Sequence, residues 1–97
     1  MRALAHADEQ SPATVALLRR WVEQDSYTGA AGDVNAMGAL LQEAFALPEL
    51  SVVVRPGQGF GDHLCFRTRA WDDQPDRRIL LVGHHDTVFP PGTFRGW

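Results

Sequence analysis

A chain of 97 residues has room for one domain and none for a two-domain enzyme. Its 44% hydrophobic and 22% charged residues form a globular balance, which excludes disordered, collagen-like and low-complexity chains. Nine arginines, with no lysine, against twelve acidic residues give a net charge of −3, so no basic footprint for nucleic acid or an anionic membrane is present, and the lone Cys65 excludes an internal disulfide framework.

Residues 1–10 are small and polar without periodicity, and read as a frayed leader. His6, Asp8 and Glu9 stand where a signal peptide would need an apolar core. No stretch approaches the roughly 20 apolar residues of a membrane helix, and the expected location is the cytoplasm. Ser11 is an N-cap candidate with Pro12 at the first helical position. Val15, Leu18 and Val22 then recur at helical spacing, with Arg19, Arg20 and Glu23 opposite, and predict a first helix ending near Asp25.

The turn-rich Ser26–Gly32 segment leads to a second helix, capped by Asp33 or Asn35, with Val34, Met37, Leu41 and Phe45 on its buried stripe. Leu47 before Pro48 ends it. Ser51–Arg55 is β-branched and reads as a strand; Pro56–Gly61 is a loop; His63–Arg69 alternates enough to be the second arm of a hairpin. After a polar link from Trp71 to Arg78 comes Ile79–Gly83, a continuous apolar run of the kind that suits a strand buried on both faces. The order predicts an α/β fold of two helices, a hairpin and a buried strand of a mixed sheet, with one body from residue 11 to 97.

The chemistry-bearing segment is Gly83-His84-His85-Asp86-Thr87-Val88, at the C-terminal end of the apolar run, where open α/β sheets bind ligands. In extended backbone His84 and Asp86 project to one side, about 7 Å apart at Cα, and His85 to the other. A carboxylate two residues from a histidine can take the proton of the ring nitrogen that faces away from a metal. His84 is therefore the candidate metal ligand and Asp86 its orienting partner. The alternative is a solvated turn in which Asp86 caps the next segment. A catalytic zinc ordinarily takes three protein ligands, of which this segment offers one or two; His6 in the leader and His63 at a strand start do not complete the set. Gly57, Gly59 and Gly61 lack the spacing and the following helix of a dinucleotide loop. Cys65 has no base beside it and reads as an inert strand cysteine.

The run Ile79-Leu80-Leu81-Val82-Gly83-His84-His85-Asp86-Thr87-Val88-Phe89-Pro90-Pro91-Gly92-Thr93-Phe94 closely resembles the first metal-binding motif of the glutamate carboxypeptidase and aminoacylase family of dinuclear zinc hydrolases, which includes carboxypeptidase G, acetylornithine deacetylase and succinyl-diaminopimelate desuccinylase. Supporting likenesses are the first helix, Ser26-Tyr27-Thr28-Gly29, Gly32-Asp33-Val34-Asn35 and Gly61-Asp62-His63-Leu64, so that the resemblance reaches back to about Ser11. It implies the N-terminal portion of a zinc-peptidase catalytic domain, with His84 as first zinc ligand and Asp86 as the catalytic aspartate bonded to it. His85 carries no role. The tail Pro90–Phe94 looks most like the glutamate carboxypeptidase branch.

Such a resemblance implies a zinc-dependent metallopeptidase with two zinc ions about 4 Å apart polarising the scissile carbonyl, and a downstream glutamate as general base. The implied substrate is the amide bond of a peptide or an N-acyl amino acid, and the implied assembly a homodimer through a further domain. In that family the remaining ligands and the base lie downstream of this motif, so the 97 residues are expected to be an N-terminal, inactive piece. Two alternatives accompany this reading: a deacetylase or desuccinylase-like amidohydrolase, and a non-catalytic α/β binding module. Phe94, Arg95 and Trp97 are candidates to line a substrate approach without being assigned to it.

Overall fold

A two-residue turn organises the sheet. In the computed structural model, which describes residues 2–95, Gln58 and Gly59 have φ of 49° and 96°. Two successive left-handed residues twist a hairpin in the same sense as its strands. The arms are β1 (Leu50–Gly57) and β2 (Phe60–Thr68), antiparallel, with Leu50 opposite Thr68 and Arg55 opposite His63. The register breaks between Arg55 and Gly57, at Pro56, a residue with no N–H to give to a ladder. The expected hairpin is present, with a tighter turn and longer arms than the Pro56–Gly61 loop implied.

Helix α1 runs Arg2–Glu23 and α2 runs Ala31–Ala44. Val34 and Met37, 4% and 7% exposed, are the buried hydrophobic residues among those described, and α2 packs on β2 through Val34. Gly61, at the start of β2, is buried against the same residue: a Cβ there would stand 2.6 Å from Val34 Cβ. Gly38 faces the Leu64 and His85 side chains, each 3.5 Å from where a Cβ would stand, an ordinary contact distance. Asn35 caps nothing; its Oδ1 accepts the Asp62 N–H at 2.7 Å and fastens α2 to the start of β2. Ala30 is the N-cap, without a side-chain bond. Phe45, just past α2, is exposed on one side and meets Phe66 at 5.3 Å between ring centroids.

Three expectations are corrected. Residues 2–10 are helical, not a frayed leader, so Pro12 lies inside α1 and Ser11 is no N-cap: its hydroxyl donates to the Ala7 carbonyl at 3.1 Å. Proline's fixed φ is compatible with helix, and the costs are the bond its missing N–H would have made to the Asp8 carbonyl and the crowding of its ring against that carbonyl. The link from Trp71 to Arg78 contains a short helix α3 (Arg69–Asp73) and a 3₁₀ turn at Pro75–Arg77, closed by the Arg78 guanidinium 4.5 Å over the Trp71 ring. Most consequentially, Ile79–Val82 is not a buried strand. It pairs with no strand among the described residues, and its four side chains are 73–90% exposed. The coarse α/β description stands, as helices with a two-stranded antiparallel sheet.

The chain buries little for its size. Its accessible surface is 7835 Å², against roughly 5,500 Å² for a compact monomer of this mass. Its radius of gyration is 15.7 Å, against about 13 Å for a compact domain of 100 residues. The excess lies in α1, whose stripe Val15, Leu18 and Val22 is 37–50% exposed, in the valines of β1, and in the Ile79–Val82 arm. An exposed ion pair from Arg20 to both carboxylate oxygens of Glu43, at 3.3 and 3.2 Å, ties α1 to α2; such a pair is worth at most about 1 kcal/mol. No helix among the described residues is long and apolar enough to cross a membrane.

Two outcomes are expected. Gly61→Ala forces its methyl into Val34 and lowers stability by about 1–3 kcal/mol in denaturant titration, part of which a Val34→Ala partner restores; an unchanged midpoint would show that this contact is loose. The unpaired arm makes the chain self-associate, and Leu81→Lys raises the concentration at which light scattering detects it; equal scattering from both proteins would clear the arm.

Candidate metal-ligand site

The site begins with a backbone bridge. Thr87 pairs in parallel with Tyr27: the Thr28 N–H donates to the Thr87 carbonyl at 2.9 Å, and the Thr87 N–H donates to the Ser26 carbonyl at 2.8 Å. Ser26 is itself buried. These bonds fasten the end of the apolar arm to the turn between α1 and α2, across about 60 residues of chain, and hold residues 84–87 beside α2.

Side chains then separate by parity, as extended backbone requires. His85 turns to α2, where its ring lies against Gly38 and its buried Nε2 has no hydrogen-bond partner among the described residues. His84 and Asp86 turn the other way and meet. His84 Nδ1 is 2.8 Å from the Asp86 carbonyl oxygen and 3.3 Å from its Oδ1. Both neighbours are acceptors, so Nδ1 carries the proton of the neutral ring, and Nε2 keeps its lone pair. The side chain is 82% exposed. A neutral imidazole with a free Nε2 and an anchored Nδ1–H is the form in which histidine binds a metal.

Asp86 is held by Thr28, whose Oγ1 lies 2.7 Å from Asp86 Oδ2 and 2.9 Å from the Thr87 carbonyl. The Thr28 hydroxyl is the first cause that holds the Asp86 carboxyl below the ordinary aspartate range; partial burial opposes it, and the Asp86 backbone and His84 add to it. The pair stands between two clefts, both lined by His84, His85 and Asp86. One, of about 470 Å³, is walled by Trp21, Met37, Phe89 and Phe94. The other, of about 440 Å³, is walled by Thr28, Asp62 and His63.

Of the other residues considered from sequence, His6 is exposed on α1 and lines neither cleft, while His63, opposite Arg55 on β2, lines the second. Cys65 is half-buried on β2. Phe94 packs edge-on against Phe89 at 5.0 Å and lines the first cleft; Arg95 folds back over Gly92, and Trp97 lies outside the described residues. Among the described residues no three His, Cys, Asp or Glu side chains converge as a metal-binding group. Thr28 and Asp25 are the additions: the Asp25 carboxylate accepts the Gly92 N–H at 3.2 Å and pins the segment after Asp86. A threonine or aspartate in a turn has many ordinary uses, and only the fold brings these two to the pair. No family model, curated protein or solved structure matches the chain.

The depressed Asp86 carboxyl sets a sign for the pH response. A carboxyl whose folded pKa lies below its unfolded value of about 3.9 contributes stability above that value and loses it as pH falls through the folded pKa. The melting temperature of wild type should exceed that of Asp86→Asn by a constant margin above about pH 5, with the two curves converging below about pH 4. Parallel curves down to the lowest pH would show that the carboxylate gains nothing from Thr28 and His84.

Proposed function

We propose that these residues form the N-terminal part of a zinc-dependent metallopeptidase of the glutamate carboxypeptidase type, which hydrolyses an amide bond of a peptide or an N-acyl amino acid. The observation that carries this reading is the geometry of His84. Its Nδ1–H is occupied by acceptors from Asp86 and its Nε2 is free, at the end of an apolar segment that lacks lateral partners. The resemblance of Ile79–Phe94 to the first metal motif of that family supplies the reaction class.

The residues present fit one arm of a zinc site. His84 Nε2 would hold the ion, and Asp86 would keep the ring in the binding tautomer and raise its basicity. Bound zinc supplies a Lewis acid that polarises the amide carbonyl. The further ligands and the general base would come from outside residues 2–95, which gather no third metal-ligating side chain at the pair. In this reading Ile79–Val82 becomes an inner strand once flanked, because four aliphatic side chains on both faces suit burial between layers and not exposure to water. A flanked arm would also hold His84 more firmly than the bridge at Thr87 alone.

Assay of the protein in which these residues naturally occur, loaded with zinc and offered glutamyl peptides and N-acetyl amino acids in parallel, tests the reading. Hydrolysis should be lost on chelation, lost in His84→Ala, and reduced about 10- to 100-fold in Asp86→Asn, while residues 1–97 alone should be inactive. The preferred substrate decides between peptidase and deacylase. Chelator-insensitive hydrolysis, or full activity in His84→Ala, would overturn the proposal.

A further inference from the structure

We propose that Thr28 is a positioning residue for the Asp86–His84 pair, setting one carboxylate oxygen as a second acceptor that reinforces the ring tautomer with His84 Nε2 free. The proposal rests on the reading of His84 as a metal ligand. Its evidence is a division of labour between the two oxygens of Asp86. Oδ2 receives the Thr28 hydroxyl at 2.7 Å, and Oδ1 lies 3.3 Å from His84 Nδ1, beside the 2.8 Å bond from that nitrogen to the Asp86 carbonyl. A hydroxyl has a single proton to donate. Of its two acceptors the carboxylate is nearer, at 2.7 Å against 2.9 Å for the Thr87 carbonyl, and it carries charge.

An exposed aspartate side chain is free to turn about both its torsions. Binding one oxygen removes that freedom and sets the plane of the carboxylate, so Oδ1 faces the ring. Thr28 can do this because its own backbone is fixed. Its N–H donates to the Thr87 carbonyl, its turn neighbour Ser26 accepts from Thr87, and Ser26 is buried. The clamp is therefore built from a turn 58 residues away in sequence, and it reaches the imidazole without touching it. A purely structural Thr28 would instead close the bridge through the Thr87 carbonyl and leave the ring indifferent to its hydroxyl.

The two roles separate by NMR, with long-range nitrogen–proton correlations that report which ring nitrogen of neutral His84 holds the proton. In wild type the Nδ1–H form should dominate. Thr28→Val, which keeps the shape and removes the hydroxyl, should shift the ratio of Nδ1–H to Nε2–H several-fold towards Nε2–H, and Thr28→Ser should restore it. Asp86→Ala removes the same arm from its other end without touching the turn and should shift the ratio by a similar factor; Thr28→Val added to Asp86→Ala should change nothing further. An unchanged tautomer in Thr28→Val or in Asp86→Ala would overturn the proposal, since the Asp86 carbonyl would then suffice by itself. If Thr28→Val does not fold, Thr28→Ala, which removes the same hydroxyl, is read in its place. Zinc titration of wild type, followed at the His84 ring, reports the ligand reading independently: a ring that ignores zinc sinks that reading while leaving the tautomer result intact.

Discussion

Two backbone hydrogen bonds at Thr87, of 2.9 and 2.8 Å, hold together what is otherwise an arm and a turn. Upstream of them Ile79–Val82 stands in solvent, with no ladder among the described residues. Downstream, the Asp25 carboxylate takes the Gly92 N–H. Between these points lies the whole candidate site. If the bridge opens, His85 leaves Gly38, Asp86 leaves Thr28, and His84 loses the acceptors that fix its proton. The chemistry thus depends on a contact much smaller than the hairpin or either long helix.

The rest of the fold explains why so small a contact has this role. The buried core is the face of α2 that carries Val34, packed on β2 where Gly61 has no side chain to hold the two apart. That core is tight enough to seat His85 and too small to cover α1, β1 or the arm. Apolar area left in water is free energy not gained, at about 25 cal/mol per Å². The exposed stripes of α1, the β1 valines and Ile79–Val82 therefore have the composition of interior surfaces without the cover.

Much of the local structure was legible in the sequence. The β-branched run at Val52–Val54 and the spacing of Val34 and Met37 depend on neighbours a few residues away, and each formed as its pattern implied, while the Pro56–Gly61 loop contracted to a turn at Gln58-Gly59. The apolar run at Ile79 misled for a physical reason: a pattern states what a segment would prefer to bury, and only partners decide whether it does. Residues 2–10 misled in the other direction, since a polar segment without a stripe can still continue a helix that begins before Pro12. At the site, the alternation of His84, His85 and Asp86 followed from extended backbone. Thr28 did not, because a hydroxyl in a turn shows nothing in sequence of the carboxylate that it meets 58 residues later.

Amide hydrogen exchange on the chain, below the concentration at which it associates, tests the central place of the Thr87 bridge most directly. The amides of Thr28 and Thr87 should exchange as slowly as those that pair β1 with β2, while Ile79–Val82 exchange at nearly the unprotected rate. Rapid exchange at Thr28 and Thr87 would mean that the bridge is open most of the time, and that the His84–Asp86 geometry has no fixed support in this chain.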